Sequence, residues 1–311
     1  MTDSDSGFVG SIPEIYDTYL VPLIFEVYAN DLAERAAALA PKAVLETAAG
    51  SGVLARALAP RLSSDAHYTV TDLNQPMLDH AASKQGPDAR ITWQQADALD
   101  LPFNKATFDA VVCQFGVMFF SDRVAGYAEA RHVLKPGGSF IFNVWDKIET
   151  NEFADVVTHA AATVFPNDPP RFMARTPHGY YDFELIYDEL ISAGFFEISF
   201  DTLEETSTAP SPRHPAVAYC QGTPLRNEIE SRDASLLDHV TNEATKAIAA
   251  RFGNGPVVGK LQGHRKTLVA SRGLPRSARQ RHVTRRASAS GFGPVEWLEE
   301  SRLNRRLPMA H

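Results

Sequence analysis

Apolar and polar positions along the chain follow two periods, helical and alternating, and the switches between them outline the elements. Between residues 13 and 39, Ile15, Tyr19, Leu23, Tyr28 and Leu32 recur near the helical period, predicting an opening helix that Pro22 kinks. From residue 43 the pattern becomes strand, turn, helix, and repeats. AVLE (43–46) predicts a short strand, and SGVLARALAPRL (51–62) a helix closed by Pro60. YTVTD (68–72) predicts the second strand, with a helix starting near Pro76. ITWQQAD (91–97) and FDAVVCQFG (108–116) give the third and fourth. A helix over 122–134 ends at the breaker Lys135-Pro136-Gly137-Gly138, and SFIFNVW (139–145) is the fifth strand. Strands alternating with helices of this length predict a doubly wound α/β fold, a mostly parallel sheet covered on both faces. Right-handed crossovers then bring the strand ends, and any ligand, to one edge of that sheet.

After Trp145 the rhythm changes. The stripe Phe153, Val156, Val157, Ala160 and Val164 predicts a helix over 152–164, and a second helix is expected at 183–193. FFEISFDTLEETS (195–207) predicts a strand, helices over 213–229 and 234–252 an insertion, and RKTLVASR (265–272) a closing strand. Residues 1–272 thus read as one domain, with a ligand-binding half at about 10–145 and a helical cover at about 146–260 over the ligand edge. From Arg272 onward only seven of 40 residues are Leu, Ile, Val or Phe, too few to bury a core, so 273–311 is expected to be a basic, disordered tail.

Composition narrows the classes. With 44% hydrophobic and 22% charged residues the chain reads as soluble and globular. Its longest apolar run, Val111 to Phe120, is interrupted by Gln114 and falls short of the roughly 18 residues a membrane span needs. MTDSDSGFVG has no basic stretch followed by an apolar one, so no signal peptide is expected and the location expected is the cytoplasm. Two cysteines, Cys113 and Cys220, exclude a disulfide framework and a zinc cluster; no metal is expected. The net charge of −8 is split: the tail from Arg272 carries nine Arg against three Glu, and the preceding residues 21 basic against 35 acidic groups. An acidic body repels phosphate backbones, so a small molecule rather than a nucleic acid is the expected partner.

The candidate chemistry begins at Val44-Leu45-Glu46-Thr47-Ala48-Ala49-Gly50-Ser51-Gly52-Val53-Leu54-Ala55. Glycines at a strand-to-helix turn let a ligand approach the backbone. Gly50-x-Gly52-x-x-Ala55 also fits a dinucleotide fingerprint, which keeps an NAD-dependent oxidoreductase among the alternatives. Three carboxylates at successive strand tips weigh against it: Glu46, Asp72 and Asp97 would repel a pyrophosphate and suit a positively charged ligand. Asp72 is placed to accept from two ribose hydroxyls and Asp97 from an exocyclic amine. Tyr16 and Tyr19, on the opening helix, are placed to close the pocket.

With these motifs the chain resembles the class I S-adenosylmethionine-dependent methyltransferases, especially the bacterial group related to the ubiquinone/menaquinone-biosynthesis enzymes. The matching segments are VLETAAGSG (44–52), TDLNQPML (71–78), QADALDLPF (95–103), FDAVVCQFGVMFFSD (108–122) and VLKPGG (133–138). The resemblance implies a seven-stranded, mostly parallel sheet, S-adenosylmethionine as cofactor, and methyl transfer to a small molecule. It implies that Glu46, Gly50 and Gly52 line the methionine part, that Asp72 takes the ribose hydroxyls, and that Met77 packs near the adenine. Asp97 and Ala98 then read the adenine edge, and Gln114 offers its carbonyl to the cofactor's amino group. Ala48 departs from the family, which usually has glycine there. Cys113-Gln114-Phe115-Gly116 lacks the Asn/Asp-Pro-Pro-aromatic motif of methyltransferases acting on exocyclic base amines, which argues against such an acceptor.

A sulfonium methyl is already activated, so displacement asks for alignment and desolvation, and for a base only with a phenol, enol or protonated amine. The candidates for such a base are His132, His178, Tyr180 and Tyr181, with Pro177–Tyr181 read as a lid. Tyr219, Cys220 and Arg226 in the insertion are candidates to face the acceptor. The apolar cover residues Phe153, Phe165, Phe172, Tyr180 and Tyr181 favour an apolar or aromatic acceptor. A non-catalytic cofactor-binding or interaction protein remains the other alternative.

Overall fold

A computed structural model describes residues 12–269 and 282–287. At its centre β1 (Ala43–Glu46) lies parallel to β2 (His67–Asp72) on one side and to β4 (Phe108–Gln114) on the other. β3 (Ile91–Gln95) follows β2, and β5 (Leu134–Trp145) follows β4, both parallel. β6 (Glu197–Ala209) and β7 (Val257–Val269) complete the sheet, β7 running antiparallel to both β5 and β6. The seven strands that the resemblance implies are present, and His282–Ala287 adds β8, parallel to β6 at the edge. The spatial order is β3-β2-β1-β4-β5-β7-β6-β8. Connections leave β1 in opposite directions, so a crevice opens beyond the carboxyl ends of β1 and β4.

Helices cover both faces. On one lie α2 (Glu26–Ala38), α3 (Val53–Leu58) and α4 (Gln75–Gln85), whose Leu32, Ala36, Leu54, Leu58 and Leu78 pack on Val44, Tyr68, Val70, Val112 and Ile141. On the other lie α5 (Arg123–Val133) and α8 (Phe183–Ser192), where Tyr127, Val133, Ile186 and Leu190 meet Val111, Phe140, Phe142 and Phe195. Asp122 and Asp182 cap these two helices by accepting from Ala125 N (2.9 Å) and Glu184 N (2.8 Å). The cover comprises α6 (Glu152–Val164), the short α7 (Phe172–Arg175), α9 (Arg213–Gly222), α10 (Leu225–Asp233) and α11 (Leu237–Phe252), the last three inserted between β6 and β7. They pack against one another and α9 against the opening helix.

Several expected boundaries move. The opening helix changes type around Pro22: between α1 (Ile12–Ile15) and α2 the backbone runs as a π-helix over Tyr16–Phe25, which accommodates a ring with no N–H. The 135–138 breaker becomes the start of β5, where Gly137 has φ +85° and the register with β4 shifts between Phe108 and Ala110. The 213–229 helix is two helices, parted at Thr223-Pro224. β7 begins at Val257, eight residues before the expected closing strand. The expectation of disorder for 273–311 falls, apart from 282–287, outside the described residues, as does the N-terminal segment on which the signal-peptide reading rested.

Candidate functional site at the strand tips

The crevice holds a cavity of about 370 Å³. Its floor is the turn after β1. There Ala48 and Gly50 adopt φ +52° and +56°, and Gly52, at φ +77°, starts α3. A Cβ on Gly52 would sit 2.8 Å from the Ala81 Cβ, so glycine is required by both backbone and space. Ala48 holds the same left-handed backbone with a methyl group in place, and its Cβ packs under Gly116.

Asp72, at the tip of β2, ties the turn down: Oδ2 accepts from Gly50 N (2.8 Å) and Oδ1 from Asn74 N (2.8 Å). Burial pushes its carboxyl pKa up, and the two N–H donors pull it back. Each oxygen keeps a further lone pair for a ligand. Asp97, beyond β3, accepts from Leu99 N (2.8 Å) and stays exposed at the rim. Gln114, at the tip of β4, donates from Nε2 to Phe25 O (3.0 Å), while its buried Oε1 has no partner among the described residues. Ser51 Oγ is likewise buried and unpartnered. The opposite end is aromatic. Tyr16 stacks on Phe25 (5.1 Å between centroids), and Phe115, at φ +51°, stacks flat on Trp145 (3.7 Å). Burial, with Asp17 and Asp72 nearby, keeps the Tyr16 phenol protonated.

Of the nine residues expected at this site, seven line the cavity: Tyr16, Gly50, Asp72, Met77, Asp97, Ala98 and Gln114. Glu46 and Gly52 lie behind its wall. Glu46 is 1% exposed, and its Oε2 accepts from the Tyr68 hydroxyl; burial pushes its pKa up to about 8. Leu73, Asn74, Phe25, Phe115, Phe119 and Phe120 also line the cavity and were not singled out from the sequence. The two phenylalanines 119 and 120 close the apolar run that begins at Val111, a pattern that reads equally well as core.

None of the four candidate bases lines the cavity. His132 is exposed in the last turn of α5, and Tyr181 is exposed at the start of α8. Tyr180 is buried, its hydroxyl shared between Tyr127 (2.9 Å) and Glu189 and its ring beneath the Arg123 guanidinium at 4.2 Å. His178 is 3% exposed, with Nδ1 on the Asp146 carbonyl (2.8 Å), and burial pushes its pKa down to about 4. Through His178 and Tyr180 the 177–181 segment packs against the end of β5, α5 and α8, and no residue of the expected lid lines the cavity. Tyr19 packs at a tilt against His214 (4.9 Å between centroids) and does not line the cavity. Tyr219 and Cys220 are buried in the cover, and Arg226 pairs with Glu230 (2.7 Å).

Residues 44–138 match the family model described as a methyltransferase domain. The chain is 37% identical over 105 residues to a demethylmenaquinone methyltransferase of Clavibacter sepedonicus, covering 34% of this chain and 42% of that protein. It is 39% identical over 110 residues to the corresponding Deinococcus radiodurans enzyme, covering 35% and 45%. A ubiquinone/menaquinone biosynthesis C-methyltransferase of Caulobacter vibrioides is 28% identical over 174 residues, covering 50% and 69%. The chain spans less than half the length of the first two relatives. Among solved structures, the YcgJ protein of Bacillus subtilis aligns with a TM-score of 0.51 at 18% identity, over 79% of this chain and all of that one. The [4+2]-cyclase SpnF aligns at 0.50 and 17%, over 80% and 82%. Both likenesses concern the fold alone.

Proposed function

Residues 44–138 belong to the class I S-adenosylmethionine-dependent methyltransferases, and from that premise we propose that the chain transfers a methyl group to an apolar or aromatic small molecule. The observation that carries this reading is the cavity at the strand tips. Its polar wall offers the acceptors Asp72 and Asp97 at the tips of β2 and β3 and the unpartnered Gln114 Oε1 within, beside the Ser51 hydroxyl. Such a wall fits hydroxyls, an exocyclic amine and an ammonium group, and it repels a pyrophosphate. The residues present therefore fit S-adenosylmethionine and disfavour a dinucleotide.

In this reading Asp72 holds the ribose hydroxyls, Met77 and Leu73 bracket the adenine, and Asp97 with Ala98 reads its edge. Gln114 Oε1 takes the ammonium group. Glu46 acts from behind the wall, holding Tyr68 and the end of β1. Bound S-adenosylmethionine supplies an activated sulfonium methyl. The chain's own contribution is alignment and exclusion of water by Tyr16, Phe25, Phe115, Phe119 and Phe120. No histidine or lysine stands among the lining residues, so no side-chain base is assigned.

The aromatic wall supports an apolar acceptor, and the names of the curated relatives point toward quinone precursors. Turnover with methyl-labelled cofactor tests this against a panel of apolar phenols, quinols and hydrophilic amines. Label in the apolar ring compounds is expected; label in the amines alone would overturn the acceptor class. The cyclase SpnF shares the fold, so cofactor binding without label in any acceptor would favour a role other than methyl transfer.

A further inference from the structure

One row of side chains crosses the sheet beside the cavity. Gln114 on β4 is in register with Asn143 on β5, Asn143 with Arg265 on β7, and Arg265 with Asp201 on β6. Residues in register project from the same face, here the face under α2: Gln114 Nε2 reaches Phe25 O, and Arg265 Nη1 reaches Asp31 of α2 at 2.7 Å. Arg265 Nη2 also pairs with Asp201. Asn143 is fully buried and Arg265 is 2% exposed. Yet Gln114 Oε1, both carboxamide atoms of Asn143, and Arg265 Nε have no hydrogen-bond partner among the described residues. A buried polar atom without a partner is costly, and four of them on three adjacent strands form one site.

We infer that Gln114, Asn143 and Arg265 hold two ordered waters in a continuous buried row, and that Asn143 is a positioning residue for Gln114. Two waters give each of the four atoms a partner. One water accepts from Asn143 Nδ2 and donates to Gln114 Oε1; the other accepts from Arg265 Nε and donates to Asn143 Oδ1. Arg265, clamped between Asp31 and Asp201, fixes one end of the row. The other end fixes the Gln114 carboxamide, whose Nε2 is already committed to Phe25 O. A link to cofactor affinity rests on the functional reading above; the waters do not.

A high-resolution crystal structure of the cofactor-free protein, with melting and calorimetric titration of Asn143→Leu and Asn143→Ser, tests this. The expected result is two ordered waters in the wild type, a lower melting temperature for Asn143→Leu, and S-adenosylmethionine binding weakened about tenfold, as loss of one net hydrogen bond implies. Asn143→Ser, which keeps a hydrogen-bonding atom, recovers part of both. A dry row, or an Asn143→Leu protein as stable and as tight-binding as the wild type, overturns the inference. Should Asn143→Leu fail to fold, the wild-type waters and Asn143→Ser decide. Should the wild type not bind S-adenosylmethionine, the functional reading fails, and the waters and melting temperatures still decide the row.

Discussion

Ala48 carries a methyl group where the backbone turns left-handed, at φ +52°. That conformation costs a residue with a Cβ roughly 1–2 kcal/mol. Glycine would relieve it at the cost of about 0.4–1 kcal/mol of added freedom in the unfolded chain. Ala48→Gly is therefore expected to stabilise the protein by about 0.5–1 kcal/mol in denaturant titration, the balance of those two effects. The reverse strain, Gly52→Ala, is expected to destabilise, because its new Cβ would meet Ala81 at 2.8 Å.

Two buried titratable groups set opposite pH limits on stability. Glu46 has its pKa pushed from 4.5 up to about 8, chiefly by burial, so the folded chain keeps a proton that the unfolded chain releases. Its contribution is complete below pH 4.5 and is lost as pH rises through 8. His178, pushed down from 6.5 to about 4 by burial, contributes fully above pH 6.5 and loses that contribution as pH falls through 4. Melting temperature against pH is expected to lose, in Glu46→Gln, the fall between pH 4.5 and 8 that Glu46 contributes, and in His178→Gln the fall from pH 6.5 down to 4 that His178 contributes. Seven of the residues that line the cavity were legible from the sequence because strand tips are fixed by the alternation of strands and helices. The base candidates were misplaced because whether a His or Tyr near a strand end is buried depends on which helix packs beside it.

Among the elements, the opening helix is tied to α3 and α4 through the Asp17 side chain. Asp17, next to Tyr16, pairs with Arg56 of α3 at 3.0 Å and lies 3.4 Å from His80 Nε2 of α4. Arg56 in turn donates to Ser51 O in the cavity wall (2.6 Å). Partly exposed pairs of this kind are worth about 0.2–1 kcal/mol each. Asp17→Ala is expected to leave the sheet folded while raising proteolytic cleavage within 12–25; protease resistance equal to the wild type would show that apolar packing alone holds the helix. Periodicity located α6 to the residue, since an amphipathic stripe reports its own boundaries. It could not locate the π-helix, because the ladder around Pro22 is set by contacts with α9 and α2 rather than by local spacing.

At the scale of the whole molecule, the sequence yielded five parallel strands and two later ones, but neither the antiparallel pairing of those two nor how far β7 extends. β6 pairs with β7 from Val257 to Val269 but β5 only from Gly263 on. The missed first half, with Gly259 in its interior and Lys260 and Gln262 on its more open face, reads weakly as a strand. The topology brings Asp72, Asp97 and Gln114, far apart in the chain, to one crevice, and the central claim is that this crevice binds S-adenosylmethionine through Asp72. Isothermal titration of S-adenosylmethionine and of NAD into the wild type and Asp72→Ala tests it most directly, with a melting curve to confirm that the variant folds. The account predicts micromolar binding of S-adenosylmethionine to the wild type, at least about tenfold weaker binding to Asp72→Ala from the loss of charged hydrogen bonds, and no binding of NAD. Tighter binding of NAD, or a folded Asp72→Ala protein that binds S-adenosylmethionine as well as the wild type, would contradict it.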